Sequence, residues 1–322
     1  MRRLLVIGTC ILGVAAPAAH AAGGPVPPVQ GGAGVGAQGG SLNYVAVRAG
    51  RDTVLQRIRR EDGVVERSRL IRGAFGVPGA AYDGSSTGLS ANERTLVLAA
   101  MDARATRTRL LVLDARPLRP RTEVVLPGYF TVDAISPGGR WLYLIRYRSI
   151  SRNDYEVRAY DLTRRHLLSA PIVDPREPDE KMQGFPTTRT MSPDGRWAYT
   201  LYANPDGAPF IHALDTERRT AACIDLDDLT NDDVSEARLA LADGGLRVEG
   251  PGGPLAVVDR RTFAVSDPAA SAAPTRAPAR RAASSNDDGS GLPWALSFLA
   301  LVPLAGLAAV ALRRRHSRST PA

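Results

Sequence analysis

Short runs of apolar residues, each of a length typical of a β-strand, recur along the middle of the chain. In the run 141–147 both alternating sets of side chains are apolar: Trp141, Tyr143 and Ile145 on one face, and Leu142 and Leu144 on the other. A strand that is apolar on both faces is buried on both sides, as in a sheet stacked between two others. Runs at 95–100 and 197–203 predict further strands, and the whole pattern predicts an all-β fold.

A turn motif precedes these strands and repeats along the chain. The segment from Ile135 to Tyr143 reads ISPGGRWLY, and the segment from Met191 to Tyr199 reads MSPDGRWAY; weaker copies begin at Leu89 and Leu241. The motif serines at 90, 136 and 192 are 46 and 56 residues apart, periods typical of propeller blades or solenoid units. Because proline presets φ and glycine supplies the left-handed conformation that closes a hairpin, each motif predicts a turn between two strands.

An aspartate follows each turn by about 20 residues, where a further strand is predicted to end. These aspartates are Asp114, Asp161, Asp215 and Asp259. Their repetition in successive units predicts a structural role, in which the carboxylate bonds to the backbone of the next turn. The alternative interpretation, paired catalytic carboxylates, fits a repeated residue less well.

The turn motif and the later aspartate together resemble the blade signature of bacterial exported WD40-like and TolB-like β-propeller repeat proteins. The resemblance covers residues 41–267, is close in two units and is degenerate in the others. It implies a β-propeller of about five blades, each with four antiparallel strands. The first unit has no evident innermost strand, so closure by strand exchange between the two ends of the domain is a hypothesis.

Both ends of the chain carry signals that place the central domain outside the cytoplasm. Two arginines, an apolar run and a small-residue site ending at Ala21 predict a secretory signal peptide over 1–21. Residues 292–312 contain no charge and are long enough to cross a bilayer as a helix. The arginines that follow predict a basic cytoplasmic tail over 313–322, and hence a single-pass type I protein of the cell membrane.

Two other segments differ in composition from the central domain. Residues 22–40 are rich in Gly and Pro and predict a flexible leader, and residues 268–291 are rich in Ala, Ser, Pro and Arg and predict a disordered stalk. A lipid anchor at Cys10 is disfavoured because that cysteine lies inside the apolar run. Anchoring by sortase is disfavoured because Leu292-Pro293 does not continue as the sortase motif.

A net charge of +8 would usually suggest nucleic-acid binding, but most of this positive charge lies outside the central domain. Six arginines lie at the two ends of the chain, and the segment 268–291 adds three against two acidic residues. The central domain is therefore nearly neutral and lacks the basic footprint that phosphate binding requires. We expect no nucleic-acid partner.

Two motifs suggest chemistry, and each departs from its pattern. Residues 84–88 read GSSTG and match the spacing of a nucleophile elbow, but no helix is predicted after them. Residues 225–236 place acidic side chains at several EF-hand positions, yet Leu229 and Thr230 stand where a ligand and a glycine belong. Calcium binding is one interpretation of this segment; the alternatives are a solvated acidic loop and the start of a short helix.

The two histidines of the domain fall in predicted strands: His166 and His212. We expect no catalytic, cofactor-binding or metal-binding residues.

The resemblance implies binding through one face, formed by the loops between the second and third strands of each blade and by the loops between blades. The longest of these loops carry arginines and aromatic residues, which are enriched at interaction hot spots. The candidate binding residues are Arg148, Arg152, Phe185, Arg189 and Tyr202.

We expect a non-catalytic binding, scaffolding or sensing module for an envelope protein or membrane partner, with the lipid bilayer contacted through 292–312. The alternatives are a propeller hydrolase, lactonase-like or glycan-cleaving, and a binder of cell-wall polysaccharide.

Overall fold

The computed structural model describes residues 24–102, 106–151, 153–179, 182–242 and 244–268, which lie in one compact unit, Met1–Ala273. The predicted signal peptide, membrane span and cytoplasmic tail, and all but the first residue of the predicted stalk, lie outside these ranges. Within the described ranges, no helix is long and apolar enough to cross a membrane.

The described residues form 19 strands in five antiparallel sheets, which we call blades 1 to 5 in chain order. Blade 1 consists of β1 (Leu42–Ala49), β2 (Asp52–Arg59) and β3 (Val65–Ile71). Blade 2 consists of β4 (Phe75–Gly76), β5 (Thr95–Ala100), β6 (Arg107–Asp114) and β7 (Arg119–Pro127). Blade 3 consists of β8 (Tyr129–Ile135), β9 (Trp141–Ser149), β10 (Asp154–Asp161) and β11 (His166–Ile172).

Blade 4 consists of β12 (Phe185–Met191), β13 (Trp197–Ala203), β14 (Phe210–Asp215) and β15 (Thr220–Asp225). A short helix, α1 (Asn231–Ser235), lies in the connection to blade 5. Blade 5 consists of β16 (Arg238–Ala242), β17 (Gly245–Gly250), β18 (Gly253–Asp259) and β19 (Val265–Ser266). Strands pair with their neighbours in sequence in every sheet, so each blade is an antiparallel meander. This confirms the predicted all-β propeller architecture and the strands predicted after the three turns.

Aliphatic cores between successive blades hold the sheets together. Buried side chains form four clusters, between blades 1 and 2, 2 and 3, 3 and 4, and 4 and 5. In β9, Leu142 and Leu144 face blade 2, while Tyr143 and Ile145 face blade 4. The strand that is apolar on both faces is therefore buried on both sides, as its pattern predicts.

Residues 24–40 differ from the flexible leader that their composition predicts. Val29 exchanges two backbone hydrogen bonds with Val77, the residue that follows β4, and Val35 exchanges two with Tyr44 of β1. The N–H of Gly31 also donates to the carbonyl of Ala46. Residues 24–40, which we call the N-terminal segment, lie along the edge of β1 where blade 1 lacks a fourth strand. Among the described residues, no sheet combines strands from the two ends of the domain, so the hypothesis of strand exchange is not confirmed by them.

The repeated turn is held by its serine and by the later aspartate. The hydroxyl of Ser136 accepts a hydrogen bond from the N–H of Trp141, and Arg140 donates to Oδ2 of Asp161 at 2.8 Å. Oδ1 of Asp161 accepts from the N–H groups of Thr163 and Arg164. Blade 4 repeats the arrangement with Arg196 and Asp215 at 2.7 Å, and Asp259 accepts from two N–H groups of the next turn in blade 5. These contacts confirm the structural role predicted for the aspartates of blades 3, 4 and 5.

These ion pairs predict a loss of stability in acid. The guanidinium of Arg140 lowers the pKa of Asp161, helped by the two N–H groups of the turn, although burial opposes the change. Burial alone raises the pKa of Asp215, but the hydrogen bonds from Arg196 and the turn outweigh it, so its pKa is lowered too. A carboxyl whose folded pKa lies below the unfolded value of about 3.9 stabilises the fold fully above about pH 4. That stabilisation is lost as the pH falls through the folded pKa.

We therefore expect the urea midpoint of unfolding to be nearly constant from pH 7 to pH 5 and to fall between pH 4 and pH 2. Asp161→Asn serves as the control, because its side chain does not titrate. The variant is expected to be less stable at pH 7 and to lose less between pH 4 and pH 2. Equal acid losses in the two proteins would contradict the assignment.

Candidate functional site

The loops that face one end of the propeller form the surface on which the sequence places a binding site. We call this end the loop face: it carries the hairpins between second and third strands and the connections between blades. The opposite end carries the Ser-Pro-x-Gly turns.

Two of the predicted binding residues lie at the loop face. Arg148 lies near the end of β9 with its side chain 49% exposed, and its guanidinium pairs with Asp154 at 3.1 Å and with Glu156 at 3.8 Å. Phe185 is the first residue of β12 and is half-buried. Arg152 lies outside the described residues. In the described part of the chain, no hydrogen bond, ion pair or ring contact joins Arg148 to the other predicted site residues.

The other two predicted residues, Arg189 and Tyr202, are buried and offer no surface to a partner. Arg189 donates from Nη1 to Oδ1 of Asp133 at 2.7 Å, and the two side chains are only 3% and 4% exposed. The ring of Tyr202 stacks on Phe210 at 5.0 Å, and burial raises the pKa of its hydroxyl well above the usual value. The sequence placed Arg189 in a loop, whereas it lies within β12, whose first residue is Phe185.

An insertion in the innermost strand of blade 2 reaches across the centre of the propeller. β4 ends at Gly76, and the strand resumes where Leu89 pairs with Leu96, so residues 77–88 form a loop that we call the channel loop. The N–H groups of Tyr82 and Asp83 donate to carbonyls of β12 in blade 4. The hydroxyl of Thr87 donates to the carbonyl of Asp133 in blade 3. The channel loop therefore ties blade 2 to blades 3 and 4.

The GSSTG motif lies within the channel loop. The hydroxyl of Ser86 donates to the carbonyl of Gly34 at 2.6 Å, and the chain continues into a turn and then β5. A nucleophile elbow needs a helix directly after the serine. The motif here has a structural role, because it joins the channel loop to the N-terminal segment.

The acidic segment 225–236 contains the start of a short helix. Thr230 caps α1, and Asp233 completes a capping box by accepting from the N–H and hydroxyl of Thr230. Burial raises the pKa of Asp225, and the neighbouring Asp227 adds to the increase. In the portion of the chain that the structure describes, no group of three or more His, Cys, Asp or Glu side chains is arranged to hold a metal ion. The helix start was one of the alternatives that the sequence left open.

A pocket opens at the loop face between blades 2 and 3. Its volume is about 230 Å³. Its walls come from the N-terminal segment, the start of the channel loop, the end of β5 and the starts of β6 and β8. The lining includes Val26, Pro27, Pro28, Pro78, Ala99, Met101, Tyr129 and Phe130, and the charged residues at it are Asp102, Arg107 and Arg109. We call it the loop-face pocket.

Two features of the loop-face pocket suit it to binding. Met101 is 40% exposed, so a flexible apolar side chain is presented to solvent at the pocket. Tyr129 is half-buried, and burial raises the pKa of its hydroxyl. A concave apolar site with a few polar groups is the usual form of a ligand-binding pocket in proteins.

The sequence missed this pocket because its walls come from distant segments. Val26, Pro27 and Pro28 lie in the segment interpreted as a flexible leader, and Pro78 begins an insertion inside a strand. Only the proline content of 22–40 hinted at a rigid surface.

No protein-family model matches the sequence, and no curated protein shows significant sequence similarity to it. Similar solved structures include apo AztD from Citrobacter koseri, with 16% identity and a TM-score of 0.37, over 70% of this chain and 58% of that one. TolB from Acinetobacter baumannii has 14% identity and a TM-score of 0.41, over 70% and 52% of the two chains. A putative 6-phosphogluconolactonase from Bacteroides uniformis has 15% identity and a TM-score of 0.41, over 72% and 68%.

The chain thus spans little more than half the length of the AztD and TolB structures. The β-propeller fold rests on the five antiparallel sheets and the cores between them.

Proposed function

We propose that the protein is a non-catalytic binding module, exported and held at the cell membrane by residues 292–312, and that it binds an envelope protein through the loop-face pocket. The membrane anchor and the export signal come from the sequence at the two ends of the chain. The observation that carries the binding proposal is the apolar pocket of about 230 Å³ on the loop face. Exposed apolar surface that is concave and rimmed by charge is typical of interaction sites.

The proposed site differs from the one that the sequence predicts. Arg189 and Tyr202 belong to the interior, and Arg148 is already paired with two carboxylates. The pocket lies on the same predicted face, at the junction of blades 2 and 3. Met101 and the prolines around the pocket therefore replace the arginines as the residues on which binding is proposed to depend.

Capture of partners from solubilised envelope tests the proposal with a matched pair of variants. Met101→Glu places a charge at the loop-face pocket, and Val265→Glu places one on β19 of blade 5, at a residue that does not line the pocket. The two side chains are equally exposed, at 40% and 42%. We expect the full-length native protein and Val265→Glu to recover the same envelope protein in similar amounts, and Met101→Glu to recover at least tenfold less.

Equal recovery by Met101→Glu and the native protein would exclude the pocket as the binding site. Recovery of no protein by the native chain would contradict the binding function itself. Thermal unfolding of all three proteins is the control for folding.

A further inference from the structure

The dimensions of the loop-face pocket limit what it can accept. An apolar cavity of about 150 Å³ is large enough to hold benzene, and the pocket here measures about 230 Å³. It therefore accepts one aromatic side chain, up to the size of an indole, and leaves little space for more. A longer peptide would have to continue across the loop face outside the pocket.

The walls favour an aromatic ring over a branched aliphatic group. Two aromatic residues of β8, Tyr129 and Phe130, are among the residues that line the pocket. Three prolines also line it: Pro27 and Pro28 before blade 1, and Pro78 in the channel loop. Met101 adds a polarisable thioether, which makes favourable contacts with ring edges. Ring-to-ring contacts add to the free energy that burial of area alone supplies.

The charges at the pocket favour an acidic group beside the ring. Arg109 is held by Glu123, its Nε lying 2.5 Å from Oε1, and its guanidinium lies over the ring of Phe75. Arg107 is exposed and forms no ion pair with any residue in the described ranges. Asp102 lines the same pocket, so the charge is not uniformly positive, and a ligand carboxylate gains attraction only where it approaches Arg107.

We infer that the loop-face pocket takes the aromatic side chain of a partner protein, and that an acidic residue next to it in the partner's sequence pairs with Arg107. This inference rests on the proposed function and specifies its partner. The aromatic ring supplies most of the affinity because it is buried in the pocket. The acidic residue contributes only a small part of the affinity, because an exposed ion pair adds little free energy. Its role is to select among partners that carry an aromatic residue.

Capped dipeptides test the inference directly with the purified full-length protein. Saturation-transfer NMR would measure the binding of acetyl-Trp-Glu-amide, acetyl-Trp-Gln-amide and acetyl-Leu-Glu-amide. We expect acetyl-Trp-Glu-amide to bind most tightly, the Gln peptide to bind about 2- to 5-fold more weakly, and the Leu peptide to bind about 3- to 10-fold more weakly. Arg107→Gln is expected to abolish the difference between the Glu and Gln peptides without weakening the Gln peptide.

Filling the pocket provides the second test. Ala99 lines the pocket from β5, and Ala99→Phe is expected to remove detectable binding of all three peptides. Should Ala99→Phe fail to fold, as judged by its thermal midpoint, Met101→Glu replaces it with the same expectation. Binding that persists in both variants lies outside the pocket and overturns the inference.

Two other outcomes would also overturn the inference. Equal affinity for the Trp and Leu peptides removes the aromatic selectivity. Tight binding of free 2-naphthoate that no dipeptide displaces makes the pocket a small-molecule site instead. Neither outcome affects the capture experiment, so the proposed function can hold while this inference fails.

Discussion

Replacing Arg189 with methionine is expected to lower the free energy of unfolding by about 3–5 kcal/mol, because it leaves a buried carboxylate without its counter-charge. Arg189 in β12 and Asp133 in β8 join blades 4 and 3 through a contact of 2.7 Å. Both side chains are almost completely buried, so water does not replace the lost partner. The midpoint of urea unfolding of the full-length protein, followed by tryptophan fluorescence, measures the loss.

Two further variants separate the charge from the packing. In Asp133→Val/Arg189→Met, both charges are replaced by apolar side chains, and most of the lost stability is expected to return, because burying two charges is itself costly. Arg148→Met removes an exposed pair at the loop face and is expected to cost at most about 1 kcal/mol. A loss in the double variant as large as in Arg189→Met would show that packing, not charge, explains the effect.

This buried pair also shows which features of the molecule the sequence could not predict. The repeat of Ser136 and Ser192 predicts turns and strands because the bonds that hold each turn are local in the chain. Arg189 pairs with a residue 56 positions earlier, in another blade, and nothing in its local sequence indicates that contact. The mixture of arginines and aromatic residues in the longest predicted loops therefore suggested an exposed hot spot at Arg189.

The N-terminal segment was misinterpreted for a different reason. Its glycines indicate flexibility by composition, yet Gly34 has a φ of +70°, and a Cβ there would lie 2.3 Å from the carbonyl oxygen of Tyr44. Glycine is present because the backbone must approach β1 closely and adopt a left-handed conformation. Because a Gly-rich segment has no apolar periodicity, the sequence did not reveal this packing, or the pocket wall that the same segment forms.

Replacing Asp215 with alanine is expected to lower the free energy of unfolding by about 3 kcal/mol, the second-largest effect after that of Arg189. The residue is completely buried. Its Oδ2 accepts two hydrogen bonds from Arg196, and its Oδ1 accepts from the N–H groups of Glu217 and Arg218. Alanine leaves these two turn N–H groups without their acceptor, and it leaves the guanidinium of Arg196 without its main partner.

Asp114 in blade 2 provides the matched control, because it occupies the same position in the repeat but makes different contacts. Its carboxylate pairs with Arg119, whose side chain is 70% exposed, and with Arg121. Asp114→Ala is therefore expected to cost at most about 1 kcal/mol, as exposed ion pairs do. Urea unfolding of both variants measures the difference. Equal losses of stability would mean that the hydrogen bonds from Asp215 to the turn do not explain its effect. A loss below about 1 kcal/mol for Asp215→Ala would contradict the structural role proposed for the repeated aspartate.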